Sequence, residues 1–343
     1  MNHNFFLSNE NLVGASESSP LLSLNNCLVV PGTGSDSSDA ASIAEESGDI
    51  IIETCNENLL WNDGCIHRSK SPLGYGPEAL KRGLSLQRVV RSRLNESRDK
   101  LEVSEPAIFL GHAFGWYAFG HLHDTFQRLF YCRDIIQDPK IEIVLNRYDR
   151  VVDFIHHLKA LTGRDFSGGK ITVLKRSDPL RHYEHLFYPH SPAILTSYTE
   201  ESLEWMRLKY FNYFRTTDKQ PSRLYLSRTH VRPGSRGVIN EVEVINHLEE
   251  RGFTVLYGTE SLSRIVDLFS RAEIVVAGNH GSLLAHSYLC PANCVIHEFC
   301  PKTRIDVTQK NKLKVAKEYY QHLIESDRMH NISICIKMLE TII

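Results

Sequence analysis

Short apolar runs alternate with helix-length amphipathic segments through most of the chain. This alternation predicts an α/β fold in which parallel sheets are covered by helices. In the second half, the expected strands are Arg223–Ser227, Thr254–Tyr257, Ile274–Ala277, Cys294–Phe299 and a weak one near Ile332–Ile336. The expected helices there are Glu241–Arg251, Ser261–Ala272, Ser282–Leu289 and a long one over Lys312–Ser326.

The first half has the same rhythm and a candidate linker at its end. Its expected strands are Cys27–Val30, Ile50–Glu53, Ala107–Leu110, Ile141–Leu145 and Lys170–Leu174, and its expected helices are Pro77–Glu96, Gly120–Arg133 and Arg150–Leu161. Composition changes at Thr216–Arg223, "TTDKQPSR". We therefore predict two Rossmann-like domains, one over residues 1–216 and one over residues 217–343.

Composition narrows the classes of partner and compartment. A formal charge of −2 over 343 residues gives no nucleic-acid footprint. The eight cysteines are scattered rather than densely spaced, which is typical of a protein in a reducing compartment. With no apolar run of membrane-spanning length and no signal-like start, a cytoplasmic location is expected.

One βα junction in the second half carries an unusual group of residues. The stretch "VVAGNHGSLLAHSYL" places Gly278, Asn279, His280, Gly281 and Ser282 between a strand and a helix. The glycines allow a sharp turn and close approach of a ligand, while the free amides and dipole of the next helix attract anions such as diphosphate. From this pattern alone, an anion site and an ordinary turn with a solvated histidine are both open.

The residues around that junction resemble glycosyltransferase family 61, formerly called DUF563. The matching features, in order, are Ser227-Arg228, Arg236, Asn240-Glu241, Gly252-Phe253, Glu260, Leu268-Phe269 with Ala272, the turn from Gly278 to Gly281, and Ile296 to Glu298. The resemblance implies a GT-B-like architecture, with two Rossmann-like domains facing across a cleft. It also implies that the second domain binds a nucleotide-sugar.

The resemblance also implies roles for individual residues. Arg228 and Arg236 are expected to pair with diphosphate oxygens, for which a guanidinium fork is well suited. Asn240 is expected in the site, whereas Glu241 is either a site residue or a helix cap. Glu298 resembles the acid that holds a nucleotide ribose in related folds.

A second polar cluster lies in the first half, in "GHAFGWYAFGHLHDTFQRLFYC". The family carries a comparable stretch, which here matches His121 or His123, then Asp124, then Arg128-Leu129. Transfer with inversion needs one base to deprotonate the acceptor hydroxyl. Asp124 or a neighbouring histidine is expected to be that base, and which of the three acts stays open.

Two further features have competing interpretations. Cys290, Cys294, His297 and Cys300 could suggest zinc, but strand alternation would point them to different faces, so no metal site is expected. The basic stretch Lys81–Lys100 is either a solvated helix face or a surface that meets an anionic lipid headgroup or acidic glycan.

Together these features predict an inverting, metal-independent glycosyltransferase with no cofactor other than its nucleotide-sugar donor, which we expect to be a UDP-sugar. The acceptor would be a glycan or glycolipid hydroxyl, and the last long helix would pack back on the first domain. Two alternatives stay open. One is a nucleotide-sugar-binding protein without catalysis, and the other is a nicotinamide-dependent oxidoreductase, although no Gly-x-Gly-x-x-Gly turn follows an early strand.

Overall fold

The computed structural model describes the greater part of the chain. The described residues are 21–30, 50–53, 58–61, 99–110, 126, 128–146, 151–166, 170–174, 178–189, 199–214, 220–229, 237–278, 282–302 and 318–343. The chain forms two compact units, the first over Met1–Ile155 and Arg164–Ile194, and the second over His156–Gly163 and Leu195–Ile343. The predicted functional boundary at residue 216 stays a prediction.

A mixed sheet forms the first unit. Its strands are β1 (Leu21–Val30), β2 (Ile50–Glu53), β3 (Asn58–Trp61), β4 (Lys100–Val103), β5 (Ala107–Phe109), β6 (Glu142–Asn146), β7 (Ile171–Leu174) and β8 (Leu180–Pro189). They follow the order β3-β2-β1-β8-β5-β6-β7, with β4 pairing β8. Strands β8, β5, β6 and β7 are parallel, whereas β1, β2 and β3 extend the sheet antiparallel from β8.

A fully parallel sheet forms the second unit. Its strands are β9 (Ser222–Leu226), β10 (Phe253–Leu256), β11 (Ala272–Gly278), β12 (Val295–Pro301) and β13 (Glu318–Ile324), in the order β10-β9-β11-β12-β13. Numbered within the sheet, this is the 2-1-3-4-5 order of a doubly wound fold. In such a fold the strand order reverses between the first and third strands, here β9 and β11, and ligands bind at that switch point.

The described helices connect these strands. They are α1 (Val151–Thr162), α2 (Glu200–Tyr213), α3 (Glu241–Glu249), α4 (Leu262–Ser270), a 3-10 helix (Ser282–Leu289) and α5 (Ile336–Glu340). The Ser261 hydroxyl caps α4 by accepting from the Arg264 amide at 3.3 Å. The apolar stripe of α3 packs Val244 and Leu248 into a core shared with Tyr225, Val276 and Phe299.

The structure confirms the α/β class and most second-half elements, and it corrects three predictions. The long helix over Lys312–Ser326 is wrong, because residues 318–324 form strand β13, which pairs in parallel with β12. The weak strand at Ile332–Ile336 is also wrong; Ile332 makes isolated bridges, and α5 begins at Ile336. Strand β8, whose backbone pairs with three different strands, was absent from the prediction.

Candidate functional site

The carboxyl ends of three neighbouring strands meet at one edge of the second sheet. Leu226 of β9 and Glu298 of β12 are both in register with Ala277 of β11. Arg228 follows β9 by two residues, and Gly278 is the last residue of β11. The predicted ligand residues therefore leave the sheet beside the switch point between β9 and β11, as the doubly wound topology requires of a binding site.

Glu241, the first residue of α3, organises the end of β9. Its Oε1 atom accepts from the backbone amide of Arg228 at 2.6 Å and from the hydroxyl of Tyr225 at 3.1 Å. Glu241 and Arg228 are only 7% and 8% exposed. Burial, followed by the negative charge of Glu241, raises the pKa of Tyr225 well above its ordinary value. Glu241 therefore fixes the backbone at Arg228, a role beyond that of a helix cap.

Asn240 holds the C-terminal segment rather than pointing freely from the helix end. Its Nδ2 atom donates to the Ile334 carbonyl at 2.9 Å, and its Oδ1 atom accepts from the Ile334 amide at 3.0 Å. Its side chain makes no cap hydrogen bond. In the described contacts Asn240 is thus a structural clamp between α3 and residues 333–334.

Gly278 is required by close packing at the end of β11. A β-carbon at this position would lie 2.5 Å from Cγ2 of Val238, a separation that real β-carbons essentially never show. Val238 in turn bridges Ile332, and the amide of neighbouring Gly237 donates to Oδ1 of Asn331 at 2.7 Å. The C-terminal segment therefore holds the chain before α3 against the last residue of β11.

Glu298 is completely buried in β12. Its carboxylate accepts a hydrogen bond from the hydroxyl of Tyr319 on β13. Glu298 is therefore not a solvent-exposed residue at a strand end. Glu298 lies three residues before the end of β12, in the row that contains the last residue of β9. Tyr319 contacts it from β13, the edge strand in a segment that was predicted to be helical.

The Cys/His group around β12 splits between the two faces of the sheet. Nδ1 of His297 lies 3.0 Å from Nε2 of His322, and the two rings stack at 5.2 Å. The sulfur of Cys300 instead accepts from Nε2 of Gln321 at 3.2 Å. Burial lowers the pKa of His297 to about 4. In the part of the chain that the structure describes, no three His, Cys, Asp or Glu side chains form a metal-binding group.

Several predicted site residues lie outside the described residues. These are His121, His123, Asp124, Arg236, Asn279, His280, Gly281 and most of the basic stretch Lys81–Lys100. Ser282 begins the 3-10 helix, as expected for the residue after the turn. Arg128, which the family resemblance also matched, is buried and donates to the carbonyl of Leu110, just beyond β5.

Three residues of the site were missed by sequence reasoning. Tyr225 lies inside an apolar strand pattern, where a tyrosine is expected in the core. Tyr319 lies in a segment predicted to be helical, and Val238 lies in a turn-like stretch. A tyrosine at the end of a buried strand, with an acid opening a nearby helix, was the available signal for Tyr225. No comparable local signal exists for Tyr319 or Val238, because their partners come from distant strands.

Among the described residues, no helix has the length and apolarity needed to cross a membrane.

The fold defines an α/β protein whose second unit has a doubly wound strand order and buried polar groups at its switch point. The model of the family described as Glycosyltransferase 61 matches residues 119–297, more than half of the chain. The chain therefore belongs to glycosyltransferase family 61, as its motifs indicated. A comparison with curated protein sequences finds no significant match.

One of the solved structures to which this chain is similar matches over part of its length. It is described as the bacterial iron-containing dodecameric glycosyltransferase TibC from enterotoxigenic E. coli H10407. Sequence identity is 14% and the TM-score is 0.26, with 66% of this chain and 64% of that chain covered. This chain thus spans less than two thirds of the TibC chain.

Proposed function

We propose that this protein transfers a sugar from a nucleotide diphosphate donor to a hydroxyl of a glycan or glycolipid, with a UDP-sugar as the donor. The donor binds at the carboxyl edge of the second sheet. The proposal further includes inversion at the anomeric carbon, no requirement for a metal ion and a GT-B arrangement. Family membership supports the reaction class, and the sheet topology supports the place.

The observation that carries the proposal is the fixed position of Arg228. Burying a guanidinium is costly unless it is compensated, so a buried arginine at a ligand edge indicates a specific use. The backbone that carries it is held by Glu241, which is itself fixed by Tyr225. A cation carried on such a fixed backbone suits a pyrophosphate that gains negative charge as it departs, because a preorganised charge needs little rearrangement during the reaction.

The other parts of the donor site follow from the strand ends. The backbone amides that open the 3-10 helix would receive phosphate oxygens, with His280 and Arg236 beside them. Glu298, braced by Tyr319, would fix the ribose end. Asp124, His121 or His123 would act as the general base and remove the proton from the acceptor hydroxyl. The acceptor oxygen, made more nucleophilic in this way, would then attack the anomeric carbon.

A nucleotide panel tests the donor assignment. Ligands that bind the native state raise the thermal midpoint by mass action, so UDP and UDP-sugars should raise it in a concentration-dependent way, whereas NAD should not. Arg228→Gln should weaken UDP binding by about tenfold, as expected for one lost charge-assisted interaction. The matched control is Arg223→Gln. Arg223 lies at the opposite end of β9, in an exposed pair with Glu273 at 2.6 Å, and its change should leave UDP binding intact.

Catalysis needs its own measurement. Transfer to a glycan acceptor should disappear in Asp124→Asn while UDP binding persists, and it should survive a chelator. Binding without transfer in the unmodified protein would favour a nucleotide-sugar-binding protein. A midpoint raised by NAD and unchanged by UDP would favour an oxidoreductase and end the proposal.

A further inference from the structure

A tight hairpin after β13 is organised by one carboxylate. An antiparallel bridge between Ser326 and Ile332 closes this Asp327 hairpin. Oδ1 of Asp327 accepts from the backbone amides of Met329 and Asn331, both at 2.8 Å, and Oδ2 accepts from Nδ2 of Asn331, also at 2.8 Å. The Asp327 amide in turn donates to the Asn331 carbonyl at 3.1 Å. Asp327 therefore holds Asn331 by both its backbone and its side chain.

The turn of the Asp327 hairpin includes a residue in an unfavourable backbone conformation. The φ angle of His330 is 60°, in the left-handed region that residues with a β-carbon seldom adopt. Glycine is the usual residue at such a position in a three-residue hairpin loop. The conformation persists only where surrounding contacts hold it, and here the hydrogen bonds to Asp327 do so. The hairpin therefore has a defined shape and presents Asn331 in one orientation.

The hairpin is bonded to the segment that leads into α3. Oδ1 of Asn331 accepts from the Gly237 amide at 2.7 Å. The Ile332 amide donates to the Gly237 carbonyl at 3.0 Å, and the Ile239 amide donates to the Ile332 carbonyl at 2.8 Å. Gly237 is thus held at its amide and its carbonyl, and the side chain of Asn331 supplies the first of these bonds.

The segment held in this way connects to both strand ends at the switch point. Asn240, which clamps the chain just beyond the hairpin, is followed directly by Glu241, whose Oε1 atom accepts from the Arg228 amide after β9. Val238 packs so closely on Gly278, the last residue of β11, that no β-carbon fits there. A displacement of this segment would therefore move the acceptor that fixes the backbone of Arg228.

We infer that Asn331 is a positioning residue for the donor diphosphate, acting through Glu241 on Arg228. The hairpin fixes the place where α3 begins, the start of α3 fixes the Glu241 carboxylate, and that carboxylate fixes the backbone that carries the guanidinium. Asn331 itself does not touch the substrate in this arrangement, and the inference rests on the proposed function.

The test compares two side-chain hydrogen bonds near the C-terminus. Asn331→Ala removes the acceptor of the Gly237 amide, whereas Thr341→Ala removes a hydroxyl at the end of α5 that donates to the Met338 carbonyl at 2.7 Å. Both should lower the thermal midpoint. Only Asn331→Ala should weaken UDP binding, by about three- to tenfold, because an effect routed through Arg228 cannot exceed the loss of Arg228 itself.

A double-mutant cycle with Arg228→Gln separates positioning from stability. In that variant the guanidinium that Asn331 positions is gone, so adding Asn331→Ala should change UDP affinity by less than about twofold. A residue that only stabilises the fold would not show this dependence on Arg228. Isothermal calorimetry on the four proteins, under conditions where each is folded, measures the coupling.

Each outcome decides the inference. If Asn331→Ala does not fold, Asp327→Asn alters only the hold on Asn331 and should weaken UDP in the same direction. Unchanged UDP affinity in the folded variant, losses that simply multiply with that of Arg228→Gln, or an equal loss in Thr341→Ala overturns the inference and leaves the proposed function intact. Failure of the unmodified protein to bind UDP overturns both.

Discussion

The two sheets of this protein differ in what their carboxylate side chains bind. In the first sheet, Glu142 of β6 accepts from the Thr172 hydroxyl of β7 and lies 3.6 Å from Arg181 of β8. In the second sheet, Glu241 begins the helix after β9 and takes its hydrogen bonds from the strand end. The Glu142 carboxylate links strands of the first sheet to one another. The Glu241 carboxylate instead fixes the backbone just beyond β9, at the carboxyl edge of the second sheet.

The sheet topologies explain this contrast. A uniformly parallel sheet brings every strand end and every helix start to one edge, so polar residues placed there converge. The first sheet is extended by three antiparallel strands, β1, β2 and β3, whose ends alternate between its two edges. All strand ends of one kind therefore share an edge in the second sheet, whereas in the first sheet this holds only for the parallel strands β4 to β8.

The largest expected effect comes from removing the second carboxylate. Glu241→Ala leaves the buried Arg228 amide and Tyr225 hydroxyl short of an acceptor, so it should cost roughly 2–5 kcal/mol of stability and weaken UDP binding at least about tenfold. Urea unfolding and calorimetry measure the two quantities. Glu142→Ala is the matched control in the first sheet, and it should destabilise the protein without changing its affinity for UDP. Equal losses of affinity would break the contrast between the sheets.

Gly278→Ala tests the tight packing at the carboxyl edge. The added methyl group meets Val238, so we expect a loss of about 1–3 kcal/mol, in the range for overpacking. Denaturant unfolding measures it. The double variant Gly278→Ala/Val238→Ala should recover part of the stability because it relieves the clash. A double variant less stable than the sum of the two single changes would show that the clash is not the cause.

Acid should weaken the second unit through its buried histidines. Burial lowers the pKa of folded His286 to about 3, whereas an unfolded histidine titrates near about 6.5. Between these values the unfolded chain binds the extra proton, so stability falls as pH falls, by about 1.4 kcal/mol per unit for this residue. Unfolding at pH 7 and pH 5 measures the slope.

His286→Phe should reduce this pH dependence by about one proton. A slope unaffected by His286→Phe would mean that the ring is not held neutral in the folded protein.

The smallest expected effect concerns the brace on Glu298. Tyr319→Phe removes one hydrogen bond to a buried carboxylate, with an expected cost of about 1 kcal/mol. If Glu298 orients the ribose, the preference for UDP over 2′-deoxy-UDP should also fall, as competition binding would measure. Tyr183→Phe, which changes a buried tyrosine of the first sheet, should leave that preference unchanged. Equal preferences in both variants would remove Glu298 from the ribose end.

Sequence reasoning performed differently in the two units, for a physical reason. Strands β9 to β12 and the helices between them were predicted to within about two residues, because each βα pair carries its own local apolar period and cap. Strand β8 was missed because its sequence, "LRHYEHLFYP", mixes charged and apolar residues along a strand whose partners lie far away in the chain. Segment 318–324 has spacing compatible with a helix, and its pairing with β12 decided otherwise.

The amino-acid sequence by itself determined the α/β class, the family and the edge at which Arg228, Glu241 and the Gly278 turn meet, since these follow from local periodicity and motif order. The tertiary structure decided what those residues do. It made Glu241 the acceptor that fixes the backbone of Arg228, turned Asn240 into a clamp on the C-terminal segment, and joined His157 to Tyr210. These pairings join residues separated by 13 to 94 positions. Contacts at such separations are selected by the packing of the whole unit and leave no periodic trace in the chain.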